Sequence, residues 1–195
     1  GGGVNFLNKH SHTFIHYSKF AGINTKDSTY AGDWNVRSFA EDSSGCIWIA
    51  YMFGILDKFD PVTKTFRHFN LAGQIGRPNM IIRSMQIDNR GNLWIGATGA
   101  GLIKFDIHNN QVKLYAPELH PEKSITSPPS IDIYSVFIDS ETTIWLGTGN
   151  GISAMDPETE TFVNYSFSPD LTPETILSIV TDNRHTVWFS TLNGI

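Results

Sequence analysis

The sequence has little cysteine, which cross-links small domains, and little lysine and arginine, which bind nucleic acid. A single cysteine, Cys46, in 195 residues excludes an intrachain disulfide and a cysteine-based zinc site. Only 17% of the residues are charged, and the 14 Lys and Arg are spread too thinly to neutralise a nucleic-acid backbone. No apolar run reaches the roughly 18 residues that span a bilayer, so we expect no membrane contact from this segment.

The residues that are abundant favour β-structure. Hydrophobic residues make up 40% of the chain, which is enough for an ordinary core. Phe, Tyr and Trp together reach 12%, a share typical of strand-rich proteins. The chain has no initiator methionine and begins with three glycines, so we expect it to be a segment of a longer protein.

Four of the five tryptophans lie in near-identical surroundings, 46, 51 and 43 residues apart. Each is preceded by an aspartate six positions earlier and by a serine ten positions earlier. The tryptophans are Trp48, Trp94, Trp145 and Trp188. The aspartates are Asp42, Asp88, Asp139 and Asp182, and the serines are Ser38, Ser84, Ser135 and Ser178. A fixed period of this length indicates a repeat protein.

Each repeat contains four short runs that predict strands, which we name A to D in chain order. Between A and B lies Asp-x-x-Gly-x-x-Trp, clearest from Asp88 to Trp94, in which Asp and Gly suit the first and fourth positions of a type I turn. Between C and D lies a second turn, such as residues 157–161. Four antiparallel strands in 43 to 51 residues are the period of a β-propeller blade, so we predict an all-β propeller fold.

The two ends of the chain predict half blades. Residues 3–17 align without a gap with residues 101–115 and therefore supply strands C and D alone. The predicted units are a half blade at 1–17, whole blades at 36–69, 82–115 and 133–165, and a half blade (strands A and B) at 176–195. The halves either pair and close a four-bladed ring, or the chain is an arc of a larger propeller. We favour the arc, because propellers have about 4 to 8 blades, and its open edges would favour pairing with another copy.

The repeat at 82–106 resembles the two-component regulator propeller repeat, and the resemblance extends over nearly the whole chain. The residues that carry it are Arg-Ser-x-x-x-Asp-x-x-Gly-x-x-Trp-Ile-Gly followed by Gly-Leu-x-x-Phe-Asp. The third and fourth copies lack the turn glycine, at Glu141-Thr142-Thr143 and Arg184-His185-Thr186. The resemblance implies a seven-bladed propeller in the periplasmic sensor region of a hybrid histidine kinase that detects glycan breakdown products. It implies an oligosaccharide ligand and the remaining blades of the same protein as partners.

Residues that could carry catalysis are better explained by structure. The recurring aspartates occupy one turn position, where a hydrogen-bonding role accounts for all four. His10 and His12 fall in the C–D turn, where other copies carry polar turn residues, and Cys46 has no adjacent base motif. The Asp-box of sialidases is similar, but there the aspartate lies five positions before the tryptophan and is itself structural. We predict no enzymatic activity, no cofactor and no metal.

A ligand would bind on the face formed by the B–C and D–A connections. Alternation of strands places these connections on one face, and the D–A connections are the long and variable ones. Candidate ligand-binding residues there are Trp34, Tyr51, Phe53 and Arg77, which break the repeat and offer aromatic stacking and hydrogen bonding to a sugar. The alternative for Trp34 and Phe53 is that they anchor the loops.

Three functions remain open on the sequence. A ligand-sensing or signal-relaying propeller is favoured by the resemblance. A non-sensory propeller that presents its face to a protein partner is the main alternative, and a lyase or hydrolase propeller is the third. A membrane-spanning helix and a kinase domain in the full reading frame would favour the sensor.

Overall fold

In the computed structural model, residues 4–17, 35–117, 125–140, 143–165, 174–182, 184, 186–191 and 194 are described. They form three four-stranded antiparallel sheets, with a two-stranded sheet at each end. The end sheets are β1 (Val4–Asn8) with β2 (Thr13–Tyr17), and β15 (Ile176–Thr181) with β16 (Val187–Thr191). Within the described residues, no sheet joins these two halves.

In the whole sheets, strands are hydrogen-bonded in chain order, as consecutive hairpins require. The first sheet contains β3 (Val36–Glu41), β4 (Ile47–Tyr51), β5 (Ile55–Asp60) and β6 (Thr65–Asn70). The second contains β7 (Ile81–Ile87), β8 (Asn92–Thr98), β9 (Gly101–Asp106) and β10 (Val112–Tyr115). The third contains β11 (Ile133–Ser140), β12 (Thr143–Thr148), β13 (Gly151–Asp156) and β14 (Thr161–Tyr165). The prediction of an all-β fold with four-stranded blades is confirmed.

The A strands of successive sheets lie beside one another and carry the same irregularity. In β3, β7, β11 and β15 the pairing with the next strand slips by one residue just before the repeated serine. Ser38 Oγ donates to the carbonyl of Met85 at 3.3 Å, and the Val136 N–H donates to Ser84 Oγ at 3.2 Å. The serine therefore links neighbouring sheets in the first two copies, whereas the buried Ser135 Oγ has no hydrogen-bond partner within the described structure.

The core consists of layers between neighbouring sheets. Trp48, on the B strand of the first sheet, packs at 5.5 Å against Phe105, on the C strand of the second. Trp94 belongs to the layer between the second and third sheets, together with Ile133, Leu146 and Met155. Trp48 and Trp94 are thus each covered by the sheet that follows.

Because the tryptophan recurs once per blade, the sequence predicts that each one is largely buried between neighbouring blades; this is confirmed for Trp48 and Trp94 and wrong for Trp188. Trp48 and Trp94 are fully buried, Trp145 is partly exposed, and Trp188 is 50% exposed. The decrease in burial along the chain follows from the number of strands in the sheet that comes after each tryptophan. Trp145 is followed by a sheet of two strands, and no described sheet follows Trp188.

Candidate functional site

The face formed by the B–C and D–A connections is built where the first sheet passes to the second. The connection after β6 forms one short helix, α1 (Leu71–Gln74), capped by the Asn70 side chain, which accepts the Gly73 N–H at 2.8 Å. The Leu71 and Ala72 N–H groups donate to the Gly54 carbonyl in the β4–β5 turn, at 2.9 and 3.2 Å. The D–A connection therefore rests on the B–C turn, which places both on one face as predicted.

Gly54 is required for this close approach. Its φ is +76°, in the left-handed region, and an added Cβ would lie 2.7 Å from the Ala72 Cβ. Leu71 and Met80 are buried and anchor the two ends of the connection. The loop is thus held by its own apolar residues.

Two of the four candidate ligand residues are accessible on this face. Phe53 is 50% exposed, so its placement does not fit the alternative role of a buried loop anchor. Arg77 is exposed, and its backbone is fixed because its N–H donates to the Ala72 carbonyl at 2.9 Å. Trp34 lies outside the described residues.

The structure places Tyr51 away from the surface, which corrects its prediction as a ligand contact. Tyr51 is the last residue of β4 and is fully buried in the core layer that contains Ile49 and Phe59. Its hydroxyl donates to Asp57 Oδ2 at 2.9 Å, and His68 Nδ1 lies 2.7 Å from Asp57 Oδ1. Tyr51 therefore has a structural role in a buried polar cluster.

Sequence reasoning missed this cluster, although the repeat contains a signal for it. Asp57 and His68 are cross-strand partners in the C–D hairpin. The same pair of positions holds polar residues in two other copies and apolar residues in one. These pairs are Asn5 with His16, Ser153 with Asn164, and Ile103 with Leu114.

The opposite face consists of short turns whose aspartates are committed to hydrogen bonds. Asp42 Oδ1 accepts the Ser44 and Cys46 N–H groups at 2.9 and 3.1 Å, while Oδ2 accepts Trp48 Nε1 at 2.9 Å. Asp88 and Asp182 repeat the bond to the tryptophan of their own sheet, at 2.8 and 3.1 Å. The aspartate therefore fixes both the turn and the indole ring.

The third copy departs from this pattern. Asp139 Oδ1 accepts Thr181 Oγ1 of the following sheet at 2.8 Å, and the buried Trp145 Nε1 has no partner within the described structure. The fourth copy keeps the common arrangement although it also lacks the turn glycine. Absence of the glycine alone thus does not abolish the turn.

The Asp42 carboxylate makes stability dependent on pH. Burial alone would raise the pKa of Asp42. The hydrogen bonds from Ser44, Trp48 and Cys46 and the Lys58 ammonium at 3.0 Å lower the pKa by more, so that it lies well below its usual value. Because the folded pKa is the lower one, this stabilisation is present above about pH 4 and is lost as the pH falls.

We expect Asp42→Asn to reduce the loss of folding stability that occurs when the pH falls below about 4. The unmodified protein should lose stability between about pH 4 and pH 2, since the unfolded state takes up a proton that the folded Asp42 resists. Urea midpoints measured across that range would show a smaller decrease for the variant. An equal decrease in both proteins would contradict the role of Asp42, and Glu41→Gln, an exposed neighbour, is the matched control.

A cleft that was not predicted from the sequence lies along the A strands β3, β7 and β11, and we call it the inner-strand cleft. It has a volume of about 450 Å³, within the range of small-molecule sites. Phe39, Met85, Ile87 and Ile138 supply apolar walls, and Gln86 and Asn89 supply amides. Gln86 Oε1 accepts the Ile138 N–H at 2.6 Å, so its orientation is fixed. The cleft is a second place where a ligand could bind.

The described residues contain no group of three or more His, Cys, Asp or Glu side chains able to hold a metal ion. His16 Nδ1 bonds to Asn5 Oδ1 at 2.9 Å, and His12 is exposed with φ +55° in its turn. In the described part of the chain, no helix is long and apolar enough to cross a membrane.

The family model for the two-component regulator propeller matches residues 76–99 and 127–150. A histidine kinase named P4 from Formosa agariphila is 32% identical over 140 residues, which cover 66% of this chain and 10% of that protein. The chain therefore spans about a tenth of this curated relative.

Solved structures share the fold at low sequence identity. The extracellular domain of a hybrid two-component system from B. thetaiotaomicron has a TM-score of 0.74 at 20% identity, covering 97% of this chain and 23% of that one. PorZ, a surface component of the type-IX secretion system of Porphyromonas gingivalis, has a TM-score of 0.68 at 18% identity, covering 98% and 29%. The same blades thus occur in proteins with different roles.

Proposed function

Because the chain belongs to the two-component regulator propeller repeat family, we propose that it is a ligand-sensing or signal-relaying segment of a periplasmic sensor in a hybrid two-component histidine kinase. The ligand is an oligosaccharide released by glycan breakdown. The segment itself carries out no catalysis, and the kinase domain lies elsewhere in the protein. Similarity to the histidine kinase relative and to the solved extracellular domain of a hybrid two-component system supports this assignment.

The proposal is supported by the two connections over the first two sheets, the B–C turn at residues 52–54 and the D–A connection at residues 71–80, which together we call the loop platform. The D–A connection is fixed to the B–C turn by two hydrogen bonds at Gly54 and is anchored by Leu71 and Met80. Phe53 and Arg77 remain outside as an aromatic ring and a guanidinium group. A sugar ring stacks on an aromatic face, and a guanidinium donates to hydroxyl or carboxylate oxygens. Ligand binding requires such fixed and accessible groups.

We expect Phe53→Ala and Arg77→Ala to weaken oligosaccharide binding by about tenfold each, the value of one lost good contact. Binding is measured by isothermal titration calorimetry against an oligosaccharide panel, using the intact extracellular region. Thr63→Ala and Ser43→Ala in the short turns are the controls and should leave affinity unchanged. Loss of affinity in the turn variants, or none in the loop variants, would contradict the assignment of this face.

The inner-strand cleft is tested in the same experiment. Asn89→Ala removes an exposed amide from the cleft and leaves the loop platform untouched. A weaker affinity in this variant, with Phe53→Ala and Arg77→Ala unaffected, would move the site to the cleft. The sensor assignment would then stand while the choice of face would be wrong.

A further inference from the structure

The irregularity in each A strand is a β-bulge whose extra residue differs between the copies. Where the pairing with strand B slips, one residue of strand A has no residue opposite it. These bulge residues are Arg37, Arg83, Tyr134 and Leu177. Because all four backbones form the bulge with different side chains, the fold does not require arginine at this position.

The two bulge arginines lie beside Met52, in the B–C turn of the loop platform. The Met52 N–H donates to the Asn35 carbonyl, and the Ile82 N–H donates to the Met52 carbonyl, both at 2.9 Å. Arg37 lies two residues after Asn35, and Arg83 directly follows Ile82. Both arginines are exposed. The turn therefore brings two guanidinium-bearing residues of neighbouring sheets to the face that carries the loop platform.

Each of these guanidinium groups is oriented by a neighbour that leaves its charge unneutralised. Arg37 Nη2 donates to Met52 Sδ at 3.1 Å, and a thioether is a weak, uncharged acceptor. The Arg83 guanidinium carbon lies 5.6 Å from the centroid of the Tyr134 ring. In the described part of the chain, neither arginine is within ion-pair distance of a carboxylate. Both therefore keep N–H donors for an anionic ligand.

We propose that the loop platform binds an acidic oligosaccharide and that Arg37 and Arg83 hold its anionic group, a carboxylate or a sulfate. This rests on the proposed function and names the class of its ligand. The chain has a formal net charge of −5, so two unpaired arginines beside one turn are not part of a generally positive surface. The planar guanidinium fork matches the paired oxygens of either anion. Arg77 adds a third exposed guanidinium to the platform.

Phe53 fits the uncharged part of such a ligand. It directly follows Met52 and is 50% exposed, so its ring lies next to the residue that orients Arg37. A sugar that bears a carboxylate or a sulfate offers both an apolar ring face for stacking and an anion for the guanidinium groups. A neutral sugar would use the ring alone.

Calorimetry with matched ligand pairs tests the requirement for an anion. The intact extracellular region is titrated with oligomers of galacturonic acid, of glucuronic acid and of sulfated galactose, each beside its carboxyl-reduced or desulfated form. We expect an acidic oligomer to bind at least about tenfold more tightly than its neutral form. Its affinity should fall when NaCl is raised from about 50 to about 500 mM, because salt screens exposed charges. The pair that responds distinguishes a carboxylate from a sulfate.

Arg37→Gln and Arg83→Gln test the two residues. Each should weaken binding of the acidic oligomer by about tenfold or more and leave the weaker binding of the neutral form unchanged. Arg67→Gln is the matched control, because Arg67 is also exposed and lies 5.0 Å from the centroid of the Phe69 ring, but on the outer strand β6. It should leave both affinities unchanged. Urea unfolding of all three variants measures their stability.

Three results would overturn the proposal. Neutral forms that bind as tightly as the acidic ones would remove the anionic ligand and leave the proposed function intact. A loss of stability in Arg37→Gln and Arg83→Gln without a loss of affinity would give both arginines a structural role only. If no oligomer binds, whether acidic or neutral, the proposed function and the acidic ligand both fail.

Discussion

Trp94→Ala should lower the free energy of unfolding by about 3 to 5 kcal/mol, as for other large core truncations. Trp94 is fully buried between the second and third sheets, and its ring stacks on Tyr115 at 6.1 Å between centroids. The truncation leaves a cavity and also removes the donor to Asp88 Oδ2 at 2.8 Å. The measurement is urea unfolding followed by circular dichroism.

Phe53→Ala is the matched control, because it removes an aromatic side chain that is half exposed on a loop. We expect it to change the free energy of unfolding by less than about 1 kcal/mol. A loss below about 1 kcal/mol for Trp94→Ala as well would contradict the packing of the tryptophan between sheets.

His68→Leu should be destabilising by about 3 kcal/mol or more, since it removes a partner from a buried carboxylate. Asp57 is fully buried, and His68 Nδ1 lies 2.7 Å from its Oδ1. The leucine is compatible with the fold at this position, because Leu114 occupies it in the next sheet. Thermal and urea unfolding measure the loss.

A rescue variant separates the lost hydrogen bond from a change of shape. Replacing Asp57 by Ile and Tyr51 by Phe in the His68→Leu protein copies the Ile103–Leu114 pair of the second sheet and also removes the hydroxyl that donates to Asp57. We expect more than half of the lost stability to return, because no polar group of the cluster then remains buried. If the triple variant is as unstable as His68→Leu alone, the cost lies in packing and the electrostatic explanation is wrong.

The features that a single repeat contains could be predicted from the sequence. The aspartate, the turn and the tryptophan lie within seven residues, and the Asp42 and Trp48 side chains bond directly. Such local geometry depends on turn chemistry and strand alternation, both of which are readable from residue types. The four-stranded blade follows from repetition of these units.

The features that depend on the neighbouring sheet could not be predicted from one repeat. Trp94 and Trp188 share the aspartate six positions earlier and the serine ten positions earlier, yet one is buried and the other half exposed, because burial is determined by the sheet that follows. The burial of Tyr51 can be predicted from the alternation of side chains along its strand. Ile49 and Tyr51 lie two residues apart on β4 and must share a face, so an inward Ile49 predicts an inward Tyr51.

The hydrogen bonds between strands β7 and β11 have a mechanical consequence. The Ser84 hydroxyl and the Gln86 amide oxygen each accept a backbone N–H of β11, at 3.2 and 2.6 Å. Rotation of the second sheet would stretch these directional bonds and pull the third sheet with it, whereas dispersion contacts between apolar groups resist sliding weakly. A movement of the second sheet would therefore be passed to the third.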